Sequence, residues 1–461
     1  TTITSGDVTV GHNNALGTGT LVMNGGGLVD NGAIRTLANN ISVTADNSAF
    51  GGSAGLVFNG TTTFNGEYSL LNYNSGTTTF GNINLSNSAA DQLVTLAAHS
   101  GDVIVNGVIA NGGTSTASMI RKNGNGLLAL NGNNTFGGGV NLSTGTLQVG
   151  HNNALGTGTL TLNGGTLQGD GVARTLANNI ILAANSVIAG LSALNFDGTF
   201  GNLSANRTLT VNNSATTTFG NIDISDSATG RTLTIDGTGN VVVNGVIADG
   251  STATGSSIVT GGTGSLRLNG VNTHGGMTQI NGNTVIVGHN NALGDGVLSL
   301  GFGGTLQGDG VARTIANTVN LGANHAIGGS SNLTFTGTFT NSFANNVLTV
   351  NNSGLTTFGN INLSNDANNR TMTIGGTGNT VVSGVVSNGS GGSATSGLTK
   401  TGAGMLTLDG NNTYGGTTTL TAGTIEVGHN NALGTGALSL NGGTLRGDGT
   451  SRTLANNVTL A

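Results

Sequence analysis

The chain has 461 residues, of which 7% are charged, 35% are hydrophobic and 85 are glycines; its formal net charge is −6, and it contains neither proline nor cysteine. The missing cysteines exclude a disulfide framework and thiol chemistry, and the 12 dispersed Lys and Arg residues exclude a basic patch for nucleic acid. No apolar run reaches the roughly 18 residues that a membrane-spanning helix needs, so no membrane insertion is predicted. Disorder is disfavoured as well, because disordered chains usually combine low hydrophobicity with a high net charge.

From its first residues onward the chain restates one long string, which reads VGHNNALGTGTLTLNGGTLQGDGVARTLANN at its second occurrence. The copies recur at a spacing of about 139 residues, and each carries an arginine at the same point: Arg35, Arg174, Arg313 and Arg452. A fixed long period predicts an array whose units bury their apolar faces against their neighbours. We therefore expect one continuous solenoid over 1–461, with a partial unit at 1–122, complete units at 123–261 and 262–400, and a partial unit at 401–461. Since residues 1–44 match 418–461, we expect this chain to be a window of a longer array.

A shorter period runs inside each copy. Apolar residues recur about every 20 positions, as in Leu142, Leu162 and Leu182, and in Leu127, Leu147 and Leu167. The local pattern around them alternates apolar and polar residues over short runs that end at glycines, which is typical of strands and turns. Three short strands and three turns fill about 20 residues. The spacing therefore predicts an all-β fold, a right-handed parallel β-helix with internal leucine rows and about seven coils per 139-residue repeat.

Each copy also repeats a histidine before the Asn-Asn-Ala-Leu-Gly string: His12, His151, His289 and His429. Histidine is the commonest metal ligand, so a metal site is the alternative to weigh. Adjacent copies would lie about seven coils, or roughly 33 Å, apart and could not share an ion. Only the Asp of the Gly-Asp-Gly turn lies regularly nearby. The pattern favours a histidine that stabilises a turn, and no metal or other cofactor is predicted.

The Gly-Asp-Gly turn pairs each arginine with an acid four residues earlier. These acids are Asp170, Asp309 and Asp448, and Asn31 replaces the acid in the first copy. An exposed pair of this kind contributes at most about 1 kcal/mol. We interpret the pairs as fixtures of the turn or of the strand register, with partner binding as the alternative.

A carbohydrate-active enzyme is a further alternative, because polysaccharide lyases and hydrolases also use parallel β-helices. Such an enzyme needs clustered carboxylates, and the one close pair on a strand-like stretch is Asp223 and Asp226, which would point to opposite faces. Other copies carry asparagines there, and no Ser, His and Asp constellation stands out. No catalytic residue is predicted. Threonine runs such as Thr216–Thr218 suggest an ice- or crystal-binding face only if they align at every coil, which their spacing does not favour.

One motif resembles a known family. The stretch from Lys122 to Gly150 reads KNGNGLLALNGNNTFGGGVNLSTGTLQVG, and a second copy begins at Lys400. Both resemble the passenger-associated strand repeat of bacterial autotransporters. The middle copy departs from the pattern, with Thr260 in place of the lysine and His274 in place of the aromatic of Phe136 and Tyr414. The resemblance implies a right-handed parallel β-helix that is exported across the outer membrane of a Gram-negative bacterium and displayed on the cell surface.

These observations together predict an extracellular structural β-solenoid, either a stalk or an adhesin passenger, that is not an enzyme. The main alternative is a self-assembling filament or surface-layer building block, and an enzyme is the minor alternative. The expected partners are other copies of the chain, through solenoid ends or faces, or a cell, matrix or glycan surface.

Overall fold

The computed structural model describes residues 1–202, 205–250, 252–389 and 395–460. They form an all-β parallel β-solenoid of about 21 turns, with about 21 residues between stacked strands and no helix. This confirms the predicted fold class. Nowhere in these ranges is there a helix with the length and apolarity needed to cross a membrane. Clustering of contacts divides the chain into two compact units, Thr1–Asp223 and Ile224–Ala461.

The strands of the first unit are short, as the frequent glycine breaks predict. In chain order they are β1 (Thr2–Ile3), β2 (Asp7–Val10), β3 (Leu21–Met23), β4 (Gly27–Asp30), β5 (Arg35–Leu37), β6 (Ile41–Val43), β7 (Ser48–Gly51), β8 (Gly55–Phe58), β9 (Thr62–Phe64), β10 (Ser69–Asn72), β11 (Thr77–Phe80), β12 (Ile83–Asn84), β13 (Leu93–Ala98), β14 (Val103–Val105), β15 (Ile109–Ala110), β16 (Met119–Asn123), β17 (Leu127–Leu130), β18 (Gly139–Leu142), β19 (Thr146–Val149), β20 (Leu160–Leu162), β21 (Thr166–Gly169), β22 (Arg174–Leu176), β23 (Ile180–Leu182), β24 (Ser186–Ala189), β25 (Leu194–Phe196), β26 (Phe200–Asn202), β27 (Arg207–Val211), β28 (Thr217–Phe219) and β29 (Ile222–Asp223).

The second unit is built in the same way. Its strands are β30 (Thr232–Asp236), β31 (Val241–Val243), β32 (Ile247–Ala248), β33 (Ser257–Thr260), β34 (Ser265–Leu268), β35 (Thr278–Ile280), β36 (Thr284–Val287), β37 (Leu298–Leu300), β38 (Thr305–Gly308), β39 (Arg313–Ile315), β40 (Val319–Leu321), β41 (His325–Gly328), β42 (Leu333–Phe335), β43 (Phe339–Asn341), β44 (Val347–Val350), β45 (Thr356–Phe358), β46 (Ile361–Asn362), β47 (Thr371–Gly375), β48 (Thr380–Val382), β49 (Val386–Ser387), β50 (Gly397–Lys400), β51 (Met405–Leu408), β52 (Thr418–Leu420), β53 (Thr424–Val427), β54 (Leu438–Leu440), β55 (Thr444–Gly447) and β56 (Val458–Leu460).

In the first unit, successive strands of one coil enter three different parallel ladders. Ladder I is β1-β3-β6-β9-β12-β15. Ladder II runs β2-β4-β7-β10-β13-β16-β18-β20-β23-β26-β29. Ladder III runs β5-β8-β11-β14-β17-β19-β21-β24-β27. Ladder IV, β22-β25-β28, begins later in the chain. The coil therefore has three faces.

The second unit has three comparable ladders. Ladder V is β30-β33-β35-β37-β40-β43-β46-β49. Ladder VI is β31-β34-β36-β38-β41-β44-β47-β50-β52-β54-β56. Ladder VII is β39-β42-β45-β48-β51-β53-β55.

The predicted leucine rows form the interior. Leu142, Leu162 and Leu182 stack in register in ladder II, and each is 0% exposed. The second predicted row needs one correction, because Leu147 pairs with Leu128, not with Leu127, which pairs with Thr146. Alternation sends one residue inward and the next outward, so the adjacent Leu127 and Leu128 cannot both lie inside.

Buried phenylalanines continue the rows between motif copies. Phe196 and Phe219 stack at 5.1 Å between ring centroids, and Phe335 and Phe358 stack at 5.0 Å. These distances match the spacing of neighbouring strands, which is about 4.8 Å, so each ring sits on the ring of the next coil.

The coils differ in length, and this changes the relation between the two periods. Leu142 pairs with Leu162, whereas Leu96 pairs with Lys122, which is a clearly longer step along the chain. Strands β3 and β20 are equivalent in the repeat, yet β3 lies in ladder I and β20 lies in ladder II. From β3 the chain passes to the next face at β4, and β20 then lies six coils beyond β4 in ladder II, after β7, β10, β13, β16 and β18. One repeat is therefore six coils and one further face, somewhat fewer than the seven expected from a uniform coil.

The second unit follows the same rule. Strand β37 lies in ladder V, and its equivalent β54 lies in ladder VI, six steps beyond β38 through β41, β44, β47, β50 and β52. Within each unit, equivalent residues of successive repeats consequently lie on adjacent faces of the solenoid.

Candidate functional site

The repeated histidines lie in the turns that open each HNNALG string. The Nδ1 atoms of His12, His151, His289 and His429 accept hydrogen bonds from the backbone N–H two residues later, at 3.0–3.1 Å. Each histidine carbonyl also accepts the N–H three residues later. The imidazole nitrogen that faces the backbone is thus occupied by the turn. Among the residues that the structure describes, no group of three or more His, Asp, Glu or Cys side chains could hold a metal ion.

The predicted acid–base pairs form across the Gly-Asp-Gly turns. Arg174 donates to Asp170 through both Nε and Nη2, at 3.0 and 2.5 Å, and the pairs Arg313–Asp309 and Arg452–Asp448 repeat this arrangement. Each guanidinium lowers the pKa of its carboxyl below the ordinary range, to about 2 for Asp448. Each carboxylate also accepts the N–H two residues later, so the pair fixes the turn.

The first copy keeps this geometry without an acid. Arg35 donates to Oδ1 of Asn31 through Nε at 2.9 Å and through Nη2 at 2.6 Å. An amide oxygen can therefore replace the carboxylate at this turn, and the hydrogen bonds, more than the charge, are the shared element.

The asparagine of the motif joins three coils. Asn134 accepts the N–H of Ile109 from the preceding coil at 2.7 Å and donates to the carbonyl of Ala154 in the following coil at 2.6 Å. Asn272 and Asn412 make the same two bonds in the other copies. Here the loops 131–138 and 150–158 replace ladder strands, so these side-chain bonds stand where strand pairing is interrupted. The sequence analysis did not single out this asparagine.

The lysine of the motif points into the solenoid. Lys122 is 0% exposed, and its Nζ donates to the carbonyls of Asn123, Gly124 and Thr144 at 2.6–3.2 Å. Lys400 donates in the same way to the carbonyls of Thr401 and Gly402. Burial lowers the pKa of both lysines to about 8.

The middle copy replaces the lysine with a smaller pair. Thr260 Oγ1 donates to Oδ1 of Asn283 at 2.6 Å, and Asn283 stands where the first copy has Gly145. The departure of Thr260 from the motif is therefore matched by a second change one coil later.

The aromatic position of the motif is also internal. Tyr414 donates to or accepts from Thr418 Oγ1 at 2.6 Å, and His274 Nε2 lies 2.9 Å from Thr278 Oγ1. In the remaining copy the aromatic is Phe136, and the residue four positions later is Val140, both 0% exposed. The polar rings are thus paired with a hydroxyl, and the copy with the apolar ring has an aliphatic residue at the position of that hydroxyl. Neither the lysine nor the aromatic is available to a ligand.

The candidate enzyme carboxylates lie on the outer surface. Asp223 and Asp226 are both exposed, and the equivalent residues in the other copies are asparagines. Tyr73 and His99 form an exposed aromatic pair, whose rings stack at 4.8 Å with an interplanar angle of 9°. The pair was not predicted from the sequence, because the two residues lie on successive coils that are longer than the period of the leucine rows.

Comparison with known proteins adds a family motif. The family model of the passenger-associated-transport-repeat matches residues 120–149, 258–287 and 398–427. No curated protein and no solved structure matches the chain. The repeat family implies export to the cell surface. The chain is a parallel β-solenoid that carries the passenger-associated-transport-repeat three times, consistent with an autotransporter passenger-repeat protein.

Proposed function

We propose that this chain is a structural segment of a passenger, a stalk or adhesin that stands on the outside of a Gram-negative bacterium. The observation that carries the proposal is the use of the repeat motif. Its lysine, asparagine and aromatic all bond or pack inside the solenoid, so the motif builds the scaffold and leaves outward positions free to vary. The same observation supports a non-catalytic role, because the polar residues that recur in every repeat form hydrogen bonds within turns and between coils.

Surface display can be tested with single cysteines, because the chain has none of its own. Leu191 is 81% exposed, whereas Leu182 is 0% exposed. In intact cells of the native host, a membrane-impermeant maleimide should label Leu191→Cys. The matched control, Leu182→Cys, should be labelled only after denaturation. Labelling of Leu191→Cys that appears only after cell lysis would refute display.

Self-assembly into filaments is the second candidate, and it is favoured by two exposed aromatics in the second unit. Phe302 is 79% exposed and Phe343 is 74% exposed. Phe302 lies two residues after Leu300, and Phe343 lies two residues after Asn341. Leu300 and Asn341 stack in ladder V, because Leu300 pairs with Leu321 and Leu321 pairs with Asn341. The two rings therefore share a corner, two coils apart. Phe343 also has a φ of 69°, a conformation that costs free energy for a bulky side chain.

The low charge of the chain supplies little repulsion between copies that meet at such a corner. Sedimentation velocity over a wide concentration range should then show association that the double variant Phe302→Asn, Phe343→Ser suppresses. A chain that stays monomeric at high concentration, or associates equally well without both rings, would leave the stalk as the better account.

A further inference from the structure

Four departures from the repeat converge on one corner of the first unit. Asp30 stands where later copies have Gly169, Gly308 and Gly447; Asn72 stands where they have Val211 and Val350; and Tyr73 stands where they have Asn212 and Asn351. The fourth departure is the loop of His99. It spans seven positions from Leu96 to Val103, against six from Ile235 to Val241. In an array of near-copies, differences that are scattered in sequence and clustered in space indicate a site with its own chemistry.

Two of the four residues are buried and shape the corner. Asp30 is 4% exposed, and its carboxylate accepts the N–H groups of Gly32, Ser53, Ala54 and Gly55 at 2.8–3.3 Å. It also accepts Nδ2 of the buried Asn74 at 2.8 Å. These bonds tie the loop of the preceding coil to the backbone directly after Tyr73.

Asn72 does the same for the next coil. It is 1% exposed, donates to the carbonyls of Gly101 and Asp102, and accepts Thr78 Oγ1 at 2.8 Å. The backbone N–H of His99 in turn donates to the carbonyl of Asn72 at 2.9 Å. Valine fills this position in the other copies, so the buried amide is not needed for the coil itself. It holds the longer loop that carries His99.

The other two residues form the exposed surface of the corner. Tyr73 is 51% exposed and His99 is exposed as well, although their rings stack face to face. One coil before Tyr73, the strand ends at Gly51, and the N–H of Tyr73 donates to the carbonyl of Phe50 beside it. Gly51 has no side chain to set against the outer face of the tyrosine ring. The platform is thus aromatic and half-exposed, with a glycine in place of a side chain on the coil before it.

We propose that the Tyr73–His99 corner is a binding site for the pyranose rings of a neutral glycan. A flat aromatic face with an open side suits the C–H groups of a sugar ring, and the phenol and imidazole supply hydrogen bonds at its edge. Ser75, Ser100, Asn123 and Asn125 give this corner neutral outward residues, and the half-buried Asp102 lies three residues after His99 on the same loop. Since the site is an edge and not a cavity, it fits a polymer that lies across the coils. This inference deepens the adhesive form of the proposed function and rests on it.

Affinity electrophoresis of the whole chain in gels containing galactomannan or hydroxyethyl cellulose, which are both neutral, tests the site. We expect retardation by at least one of these polymers. Tyr73→Asn should weaken it about tenfold or more, and this variant should fold because asparagine occupies the equivalent corners. Gly51→Leu should weaken binding without altering either ring, because its side chain covers the open face. Tyr68→Asn, at the opposite end of β10, is the matched control and should bind normally.

Far-UV circular dichroism and melting temperature confirm that each variant is folded. Equal retardation of the wild type and Tyr73→Asn would overturn the assignment, and so would a wild type that neither polymer retards. Either failure leaves the cysteine-labelling result untouched, so loss of this site and loss of surface display are distinguishable.

Discussion

The interior lysine yields a prediction whose magnitude follows from its contacts. Replacing Lys122 by methionine keeps the length of the side chain but removes the donor to three carbonyl groups. A buried acceptor left without a partner costs about 1–3 kcal/mol. Part of this loss in the free energy of unfolding is offset, because the buried ammonium is itself unfavourable. Its pKa is lowered from 10.5 to about 8, which corresponds to about 3 kcal/mol near neutral pH. Three such acceptors together cost about 3–9 kcal/mol, so the net loss of stability at pH 7 should be about 0–6 kcal/mol, centred near 3.

The pH dependence separates this lysine from a merely structural contact. Between pH 8 and 10.5 the unfolded lysine holds a proton that the folded lysine has released, so stability should rise with pH across that window. Below pH 8 both states are protonated and the dependence disappears. Guanidinium unfolding at pH 7.5 and pH 10, followed by circular dichroism, should show wild type gaining up to about 2–3 kcal/mol more than Lys122→Met.

The middle repeat supplies the control for this prediction. Lys122→Thr alone should destabilise the fold, whereas Lys122→Thr with Thr144→Gly and Gly145→Asn reproduces the residues of the middle copy, Thr260, Gly282 and Asn283, and should recover much of the loss. An identical pH response in wild type and Lys122→Met, or a triple variant no better than the single one, would refute the reasoning.

Three further changes test other parts of the structure. Leu162→Asp should lower the free energy of unfolding by several kcal/mol, because a charge enters a closed apolar row, and denaturant titration measures this. Tyr414→Phe should cost about 0.5–1.5 kcal/mol by removing its hydrogen bond to the Thr418 hydroxyl, which keeps its bond to the Leu433 carbonyl, and adding Thr418→Val, as in the first motif copy, should restore stability in the same titration. Asp170→Ala should cost no more than about 1 kcal/mol. Because the folded pKa of Asp170 is lowered, that difference should persist above about pH 4 and vanish as the pH falls further; a constant difference down to pH 2 would contradict the role of the Arg174 pair.

The fold was predictable where the chain follows simple rules. Alternation of period 2 and a regular recurrence of apolar residues place Leu142, Leu162 and Leu182 inside, and the structure confirms it. The coil count was overestimated because loops lengthen some coils, such as the one between Leu96 and Lys122, without changing the alternation of their strands. Leu127 was misplaced for a related reason: two adjacent leucines leave the inward position ambiguous in the sequence.

The site was harder to predict than the fold. A lysine is expected at the surface, and only three converging carbonyl groups explain why Lys122 lies inside. Tyr73 and His99 looked unrelated, since the short period of the leucine rows does not join them. The two rings meet only because the loops between their strands make this coil longer than the period of the leucine rows. The buried Asp30 that supports the corner lies two coils before Tyr73, so it also looks unrelated in the sequence.

The extra face in each repeat has a consequence for how such arrays can change in length. Near-identical repeats favour gain or loss of whole units during DNA replication, and each event adds or removes six coils and one face, roughly 30 Å of axial rise. Every residue beyond the junction would also turn by a third of a revolution about the axis. Within one unit, gain or loss of a single repeat would therefore redirect a binding surface that lies beyond it. The number of repeats therefore determines both the length of the solenoid and the direction in which its outer residues point.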